Sequence, residues 1–266
     1  MADDAKLKIQ DADDFGLFFN CLTRRYLWAF DESLLELMIR ILDRYLPYFN
    51  RRTLICSMRD LADVDKSVWR DGEGVVPTDQ SDRYQKILMG LVKRYLSIEF
   101  AKRPGEYWKK QAVRELASEG EFTQCYRNER FWKFPSKDAF EEWVYENRLN
   151  EGDGIPEWKE ECLTVEIDFL PDFYQLCLAT VQYSYGRYSY MPGACRDFIK
   201  KNSALLSSRD IKHIVDEIER LLTEFPMPKD HSGEYEKGFW TGFKKELQRE
   251  VIRRRVKGQP DIGEDI

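Results

Sequence analysis

Apolar residues along the chain recur mostly at spacings of three and four, the period of a helix with one buried face. Phe15, Phe18, Phe19, Leu22 and Tyr26 predict a first helix opened by Asp13 or Asp14. Asp31 is placed to cap a second, with Leu34, Leu35, Met38, Ile41, Leu42 and Tyr45 on one face and Pro47 at its end. A third, about 51–64, carries Leu54, Ile55, Met58 and Leu61. Three helices with short joins predict a helical bundle over 1–65. Lys66–Asp79 contains DGEGVVP and reads as a loop or linker. Beyond it, Tyr84, Leu88, Leu91, Val92 and Tyr95 predict a helix begun at Ser81 or Asp82 and broken by Pro104-Gly105. Glu106–Ser118 is helical again, and Ser136 is placed to cap a helix bearing Phe140, Trp143 and Val144.

Two stretches break the helical period. Phe122–Phe134 crowds aromatics around Asn128, as in a small hairpin. Leu163, Val165, Ile167 and Phe169 alternate with Thr164, Glu166 and Asp168, the pattern of a half-buried strand. Asn150–Glu161 between them is an acidic loop. The expected fold class is therefore mainly α: a multi-helix bundle with a small β element, a hairpin near 122–134 and a strand near 163–169. Residues 80–257 form a larger α-rich part and 258–266 an acidic, disordered tail, unless the whole chain is one continuous domain.

The stretch from Pro171 to Phe225 is the most explicit. Pro171 suits a first helical turn, followed by Phe173, Leu176, Cys177 and Val181, with Gly186 as the left-handed residue after the helix end. Arg187–Met191 is too aromatic for a fully solvated loop. Pro192-Gly193 marks a turn before a short helix, Ala194 to about Lys201. Ser207 or Ser208 then caps a helix with Ile211, Ile214, Val215, Ile218, Leu221, Leu222 and Phe225 on one stripe, Asp210 standing as the partner in a capping box begun by Ser207. A final helix over 235–257 carries Phe239, Trp240, Phe243, Leu247 and Val251, and eight Lys/Arg against three Glu.

Tyr183-Ser184-Tyr185-Gly186-Arg187-Tyr188-Ser189-Tyr190, with the later Leu206-Ser207-Ser208-Arg209 cap, resembles a pattern in small phage- and plasmid-borne proteins. Those read Tyr-Ala-Leu-Gly-Arg-x-Thr-Tyr. The resemblance spans about residues 171–225, with Ser184 and Tyr185 in place of Ala-Leu and Ser189 in place of Thr. It implies an origin in a mobile element and carries no mechanism.

Composition narrows the class. Charged residues are 34% and aromatics 14% of 266, with 10 Pro and 15 Gly, as in a folded helix-rich protein. A net charge of −6 disfavours indiscriminate nucleic-acid affinity. The six cysteines, Cys21, Cys56, Cys125, Cys162, Cys177 and Cys195, have no C-x-x-C spacing, and with only His213 and His231 to add nitrogen they argue for reduced thiols rather than zinc. The acidic amino terminus is unlike a signal peptide, and no apolar run reaches transmembrane length. The expected compartment is the cytoplasm of a bacterial host cell, and no cofactor is expected.

Candidate chemistry is sparse. Arg187 among Tyr183, Tyr188 and Tyr190, with Arg196 nearby in sequence, forms the candidate binding set: a guanidinium grips a phosphate or carboxylate bidentately, and Tyr and Arg are enriched at protein interfaces. Its plainer account is an arginine stacked on tyrosines or paired with Asp197. Glu166 and Asp168 share a strand face and are weak metal candidates, a solvated face being the plainer account. Asn150–Gly154 does not match a calcium loop. His213, with Asp216 and Glu217 three and four residues on, fits an ion-pair ladder better than a relay. No P-loop, dinucleotide fingerprint or nucleophile elbow is present. Residues 194–225 imitate a helix-turn-helix, but Asp210, Asp216, Glu217 and Glu219 would repel phosphates.

Three functions follow in order of preference. The first is a non-enzymatic protein-binding accessory protein of a phage or mobile element, an inhibitor or modulator of a host (defence) protein. The second is a metal-dependent enzyme on nucleic acid or nucleotides. The third is a nucleic-acid-binding protein using the basic terminal helix, with Lys244, Lys245, Arg249, Arg253, Arg254 and Arg255. The expected partner is another protein, with no membrane involved.

Overall fold

The computed structural model describes residues 7–9, 12–62, 79–103, 105–119, 137–146, 163–165, 169–186 and 190–258. Ten α-helices fall within them, and the chain divides into two compact units, 10–163 and 1–9 with 164–266. The protein is mainly helical. The hairpin expected over 122–134, the linker expected over 66–79 up to residue 78, and the acidic loop over 150–161 lie outside the described residues. No helix among those described is long and apolar enough to cross a membrane.

In the first unit, α1 (Ala12–Ala29), α2 (Glu32–Tyr45) and α3 (Arg51–Ala62) are followed by α4 (Ser81–Lys102), α5 (Glu106–Glu119) and α6 (Lys137–Glu146). Asp31 caps α2 by accepting from the Ser33 amide at 2.9 Å, and Asn50 accepts from the Thr53 amide at 2.9 Å at the start of α3. These satisfy amide donors that a helix start leaves without partners. Helices α1 and α3 run in the same direction. Gly16 faces Thr53, Asn20 bonds Ser57, and Arg24 grips Asp60 at 2.6 and 3.0 Å in ascending order. At Gly16 the approach is close: a Cβ there would stand 2.9 Å from Thr53 Cβ and nearer still to its Oγ1 and Cγ2.

Helix α4 is central to this unit. It buries Tyr84, Ile87, Leu88, Leu91, Val92, Tyr95 and Leu96 and packs on α2, α3 and α5. Helices on either side of 66–79 thus share one core, and the division into compact units falls at 163/164. The physical reason is apolar area: α3 and α4 each bury a full stripe, which they do on each other. Several polar groups inside are tied down. Tyr26 donates to Gln80 at 2.9 Å, Gln80 donates to the Phe30 carbonyl at 3.0 Å, and the fully buried Arg94 donates to the Pro47 carbonyl at 2.6 Å. Burial pulls the Arg94 guanidinium down to about 10.

The second unit contains α7 (Leu170–Ser184), α8 (Tyr190–Lys201), α9 (Ser208–Glu224) and α10 (His231–Lys257). Strand β1 (Leu7–Ile9) pairs with β2 (Leu163–Val165). Of the strand expected near 163–169, β2 spans three residues, 166–168 lie outside the description, and Phe169 already precedes α7. Pro171 favours the first helical turn, which draws Leu170 out of any extended run. Pro192 and Gly193 do not form a separate turn; they sit in the first turn of α8, where a missing N–H costs no helical bond.

Helix α9 opens with a full capping box: the Asp210 amide donates to Ser207 Oγ at 3.0 Å, and the Ser207 amide donates to Asp210 Oδ2 at 3.1 Å. Its buried stripe is Ile211, Ile214, Val215, Ile218 and Leu221, while Phe225 is exposed. The pairs Tyr174–His213, Gln182–Glu217 and Tyr185–Phe225 ascend together, so α7 and α9 run in one direction and the chain returns between them through α8. Helix α10 runs against α9, with Lys244 near Glu219 and Arg254 bonded to the Leu206 and Ser203 carbonyls at 2.7 Å each. Its start lies four residues earlier than the apolar pattern implies, because Asp230 caps it by accepting from the Gly233 amide at 2.8 Å.

Candidate functional site

The tyrosine–arginine set is not assembled by the described residues. Tyr183 points into the core from α7 and is nearly fully buried. Gly186 has φ +74°, the left-handed conformation expected of it. Arg187 and Tyr188 lie outside the described residues, as does the side chain of Tyr190, whose backbone begins α8. Arg196 is engaged locally: its Nε donates to Asp197 at 3.0 Å, and its guanidinium carbon sits 5.3 Å from the centre of the Phe239 ring. Asp197, an alternative partner for Arg187 in sequence terms, carries this Arg196 pair.

Glu166 and Asp168 also lie outside the described residues. Among the described residues no three His, Cys, Asp or Glu side chains come together to hold a metal ion. His213 faces the Tyr174 hydroxyl at 3.5 Å, while Glu217, one of the two acids that follow it on the helix, bonds to other residues. Glu217 accepts from Gln182 at 2.9 Å and from Arg220 at 2.8 Å through each oxygen. The cysteines described are free thiols, three of them (Cys21, Cys177, Cys195) buried; burial pushes the Cys177 thiol well above its usual range, which leaves it a poor nucleophile.

What the structure does expose is apolar surface beside cations, on helical ground, in each unit. At the α4–α5 corner Tyr107 is 70% and Trp108 43% exposed, their rings edge to face at 5.0 Å. The Arg103 guanidinium lies 5.9 Å from the Trp108 ring centre while bonding Glu99 and Glu115 at 2.8 Å. On α10, Ile252 is 60% and Val256 82% exposed. Trp240, Phe243 and Leu247 of the same helix are buried against its neighbours.

The apolar pattern of the helix places Val251 at the end of that buried stripe and leaves Ile252 and Val256 off it. The signal was available: at about 100° per residue, Ile252 and Val256 lie roughly 140° and 180° round the helix from Leu247. Both therefore stand opposite the buried face and largely exposed. Cations flank them. Lys245, Arg249, Arg255 and Lys257 are exposed and make no ion pair among the described residues, while Arg254 is tied to the backbone and Arg253 to Glu250. Compared with known proteins, no family model, no curated sequence and no solved structure matches the chain.

Proposed function

We propose that the protein is a non-enzymatic, protein-binding accessory protein of a phage or mobile element that inhibits or modulates a host protein, such as one of a defence system. One observation carries the reading: large apolar side chains stand exposed on helices beside cations, at Tyr107–Trp108 and at Ile252–Val256. Aromatic, aliphatic and arginine side chains presented together are what protein interfaces use. The mobile-element origin and the host target rest on the resemblance over 171–225.

A second reading, nucleic-acid binding through α10, is favoured by the exposed Lys245, Arg249, Arg255 and Lys257, which form no ion pair among the described residues. The metal-dependent enzyme draws no support from the described residues.

The test is affinity capture from host lysate with the full chain as bait, followed by reconstitution with the purified captured protein. The expected result is a stoichiometric complex lost on Tyr107→Ala/Trp108→Ala or on Ile252→Ala/Val256→Ala. If the wild type retains no protein and its only ligand is nucleic acid, the protein-binding reading is wrong.

A further inference from the structure

We infer that the carboxy-terminal half of α10 is a docking face for an acidic protein surface that carries aliphatic side chains. This rests on the protein-binding reading above and adds the face and the chemistry of its partner.

Lys245, Arg249, Ile252 and Val256 are spaced four, three and four residues apart, so they form one straight ridge along the helix. All four are exposed, with Arg255 and Lys257 adjoining. The ridge faces away from Trp240, Phe243 and Leu247, so folding of the unit makes no use of it. Helix acids do not neutralise it. Glu246 is turned to Lys200 at 3.2 Å, and Glu250 holds Arg253 at 2.8 Å and Arg254 at 3.0 Å. Those pairs leave a net cationic strip on a protein of net charge −6.

The charge selects an acidic occupant. The two aliphatics select among acidic occupants. A nucleic-acid backbone would engage the cations and leave Ile252 and Val256 in water, since sequence-independent affinity comes from phosphate neutralisation. An acidic helix or strand with its own aliphatic ridge would bury both side chains while pairing the cations around them. That is the arrangement of an apolar centre with a charged rim. Rim charges set encounter rate and specificity, and the buried centre sets lifetime.

The experiment uses the full-length protein and three labelled probes: a peptide of alternating Glu and Leu, a length-matched polyglutamate, and a length-matched single-stranded oligonucleotide. Two variants are compared with wild type, Lys245→Gln/Arg249→Gln and Ile252→Ala/Val256→Ala. These positions are solvent-exposed and alanine is a better helix former than Ile or Val, so the fold is retained; far-UV circular dichroism checks this. The Glu-Leu peptide is expected to bind the wild type most tightly. Each variant should weaken it by about tenfold, the size of one hot-spot loss.

Two results overturn the proposal. One is peptide binding that is absent or indifferent to both variants. The other is an oligonucleotide bound more tightly than the peptide, lost on Lys245→Gln/Arg249→Gln and untouched by Ile252→Ala/Val256→Ala, which would make the ridge a nucleic-acid surface. The two readings fail separately. A captured protein retained by both α10 variants would keep the protein-binding function and remove this face from it.

Discussion

At the scale of single residues, two local devices can be tested directly. Ser207 holds the start of α9 through both halves of its capping box. Ser207→Ala leaves the Asp210 amide without its partner, and about 1 kcal/mol of stability should be lost; a urea titration reading the midpoint at unchanged slope measures this. Gly16 is a packing device. Gly16→Ala sets a methyl against the Thr53 side chain and should cost on the order of 1–3 kcal/mol. In a Thr53→Ala background that cost should shrink, because Oγ1 and Cγ2 are the atoms met first. Additive losses in the double-mutant cycle would show that α1 and α3 do not meet there.

Glu250 gives the acid limb. Arg253, and after it Arg254, hold its carboxyl below the usual 4.5 against a smaller upward push from burial. A carboxyl depressed in the folded state contributes stability that is present above about pH 4.5 and lost as pH falls through the folded value. Glu250→Gln removes that proton-linked part. The variant's midpoint should therefore fall less steeply than the wild type's between pH 5 and pH 3, pH values bracketing the usual carboxylate range. Parallel curves would show that the pair is not formed in solution.

At the scale of elements, what was legible in the sequence is what local chemistry decides alone. Asp31, the Ser207–Asp210 box and Gly186 each specify one helix terminus through a side-chain acceptor or a left-handed backbone, and each stands where its residue type requires. The buried stripe of α9 was equally legible, since five positions at three- and four-residue spacing leave one face. Where a residue has two local uses, the sequence does not choose. Pro192-Gly193 serves as a turn or within a first helical turn, and Tyr190–Met191 settle it by joining α8.

The candidate site was legible only in part for the same reason. Tyr183 reads equally as interface or core, and the packing of α7 makes it core. Arg196 reads as an anion clamp, and Asp197 with the Phe239 ring engages it instead. Ile252 and Val256 were overlooked because tracing one apolar stripe leaves the opposite face unread.

For the whole molecule, the division at 163/164 makes a claim that expression can check. Residues 10–163 contain α1 to α6, and their described core is internal: Phe15, Phe19, Tyr45 and Phe49 stack within it, and α4 buries its stripe on α2, α3 and α5. Several of its buried polar groups are answered from within, Tyr26 by Gln80, Arg94 through one terminal nitrogen by Pro47, Tyr84 by the Leu61 carbonyl and Asn20 by Ser57. A segment that buries its apolar area internally and answers most of its buried polar groups from within meets the requirements of an independently folding domain. The fragment 10–163 should therefore be monomeric and helical, and melt in one cooperative transition that coincides by far- and near-ultraviolet circular dichroism. Secondary structure retained without near-ultraviolet signal or a cooperative melt would mean that its packing is completed by the rest of the chain. In contrast, a fragment cut within 66–79 and ending before α4 should fail the same assay. It removes α4, on which both α2 and α3 pack, and three short helices do not bury enough apolar area without it. The pair of outcomes distinguishes a boundary read from loop-like composition from one set by shared core.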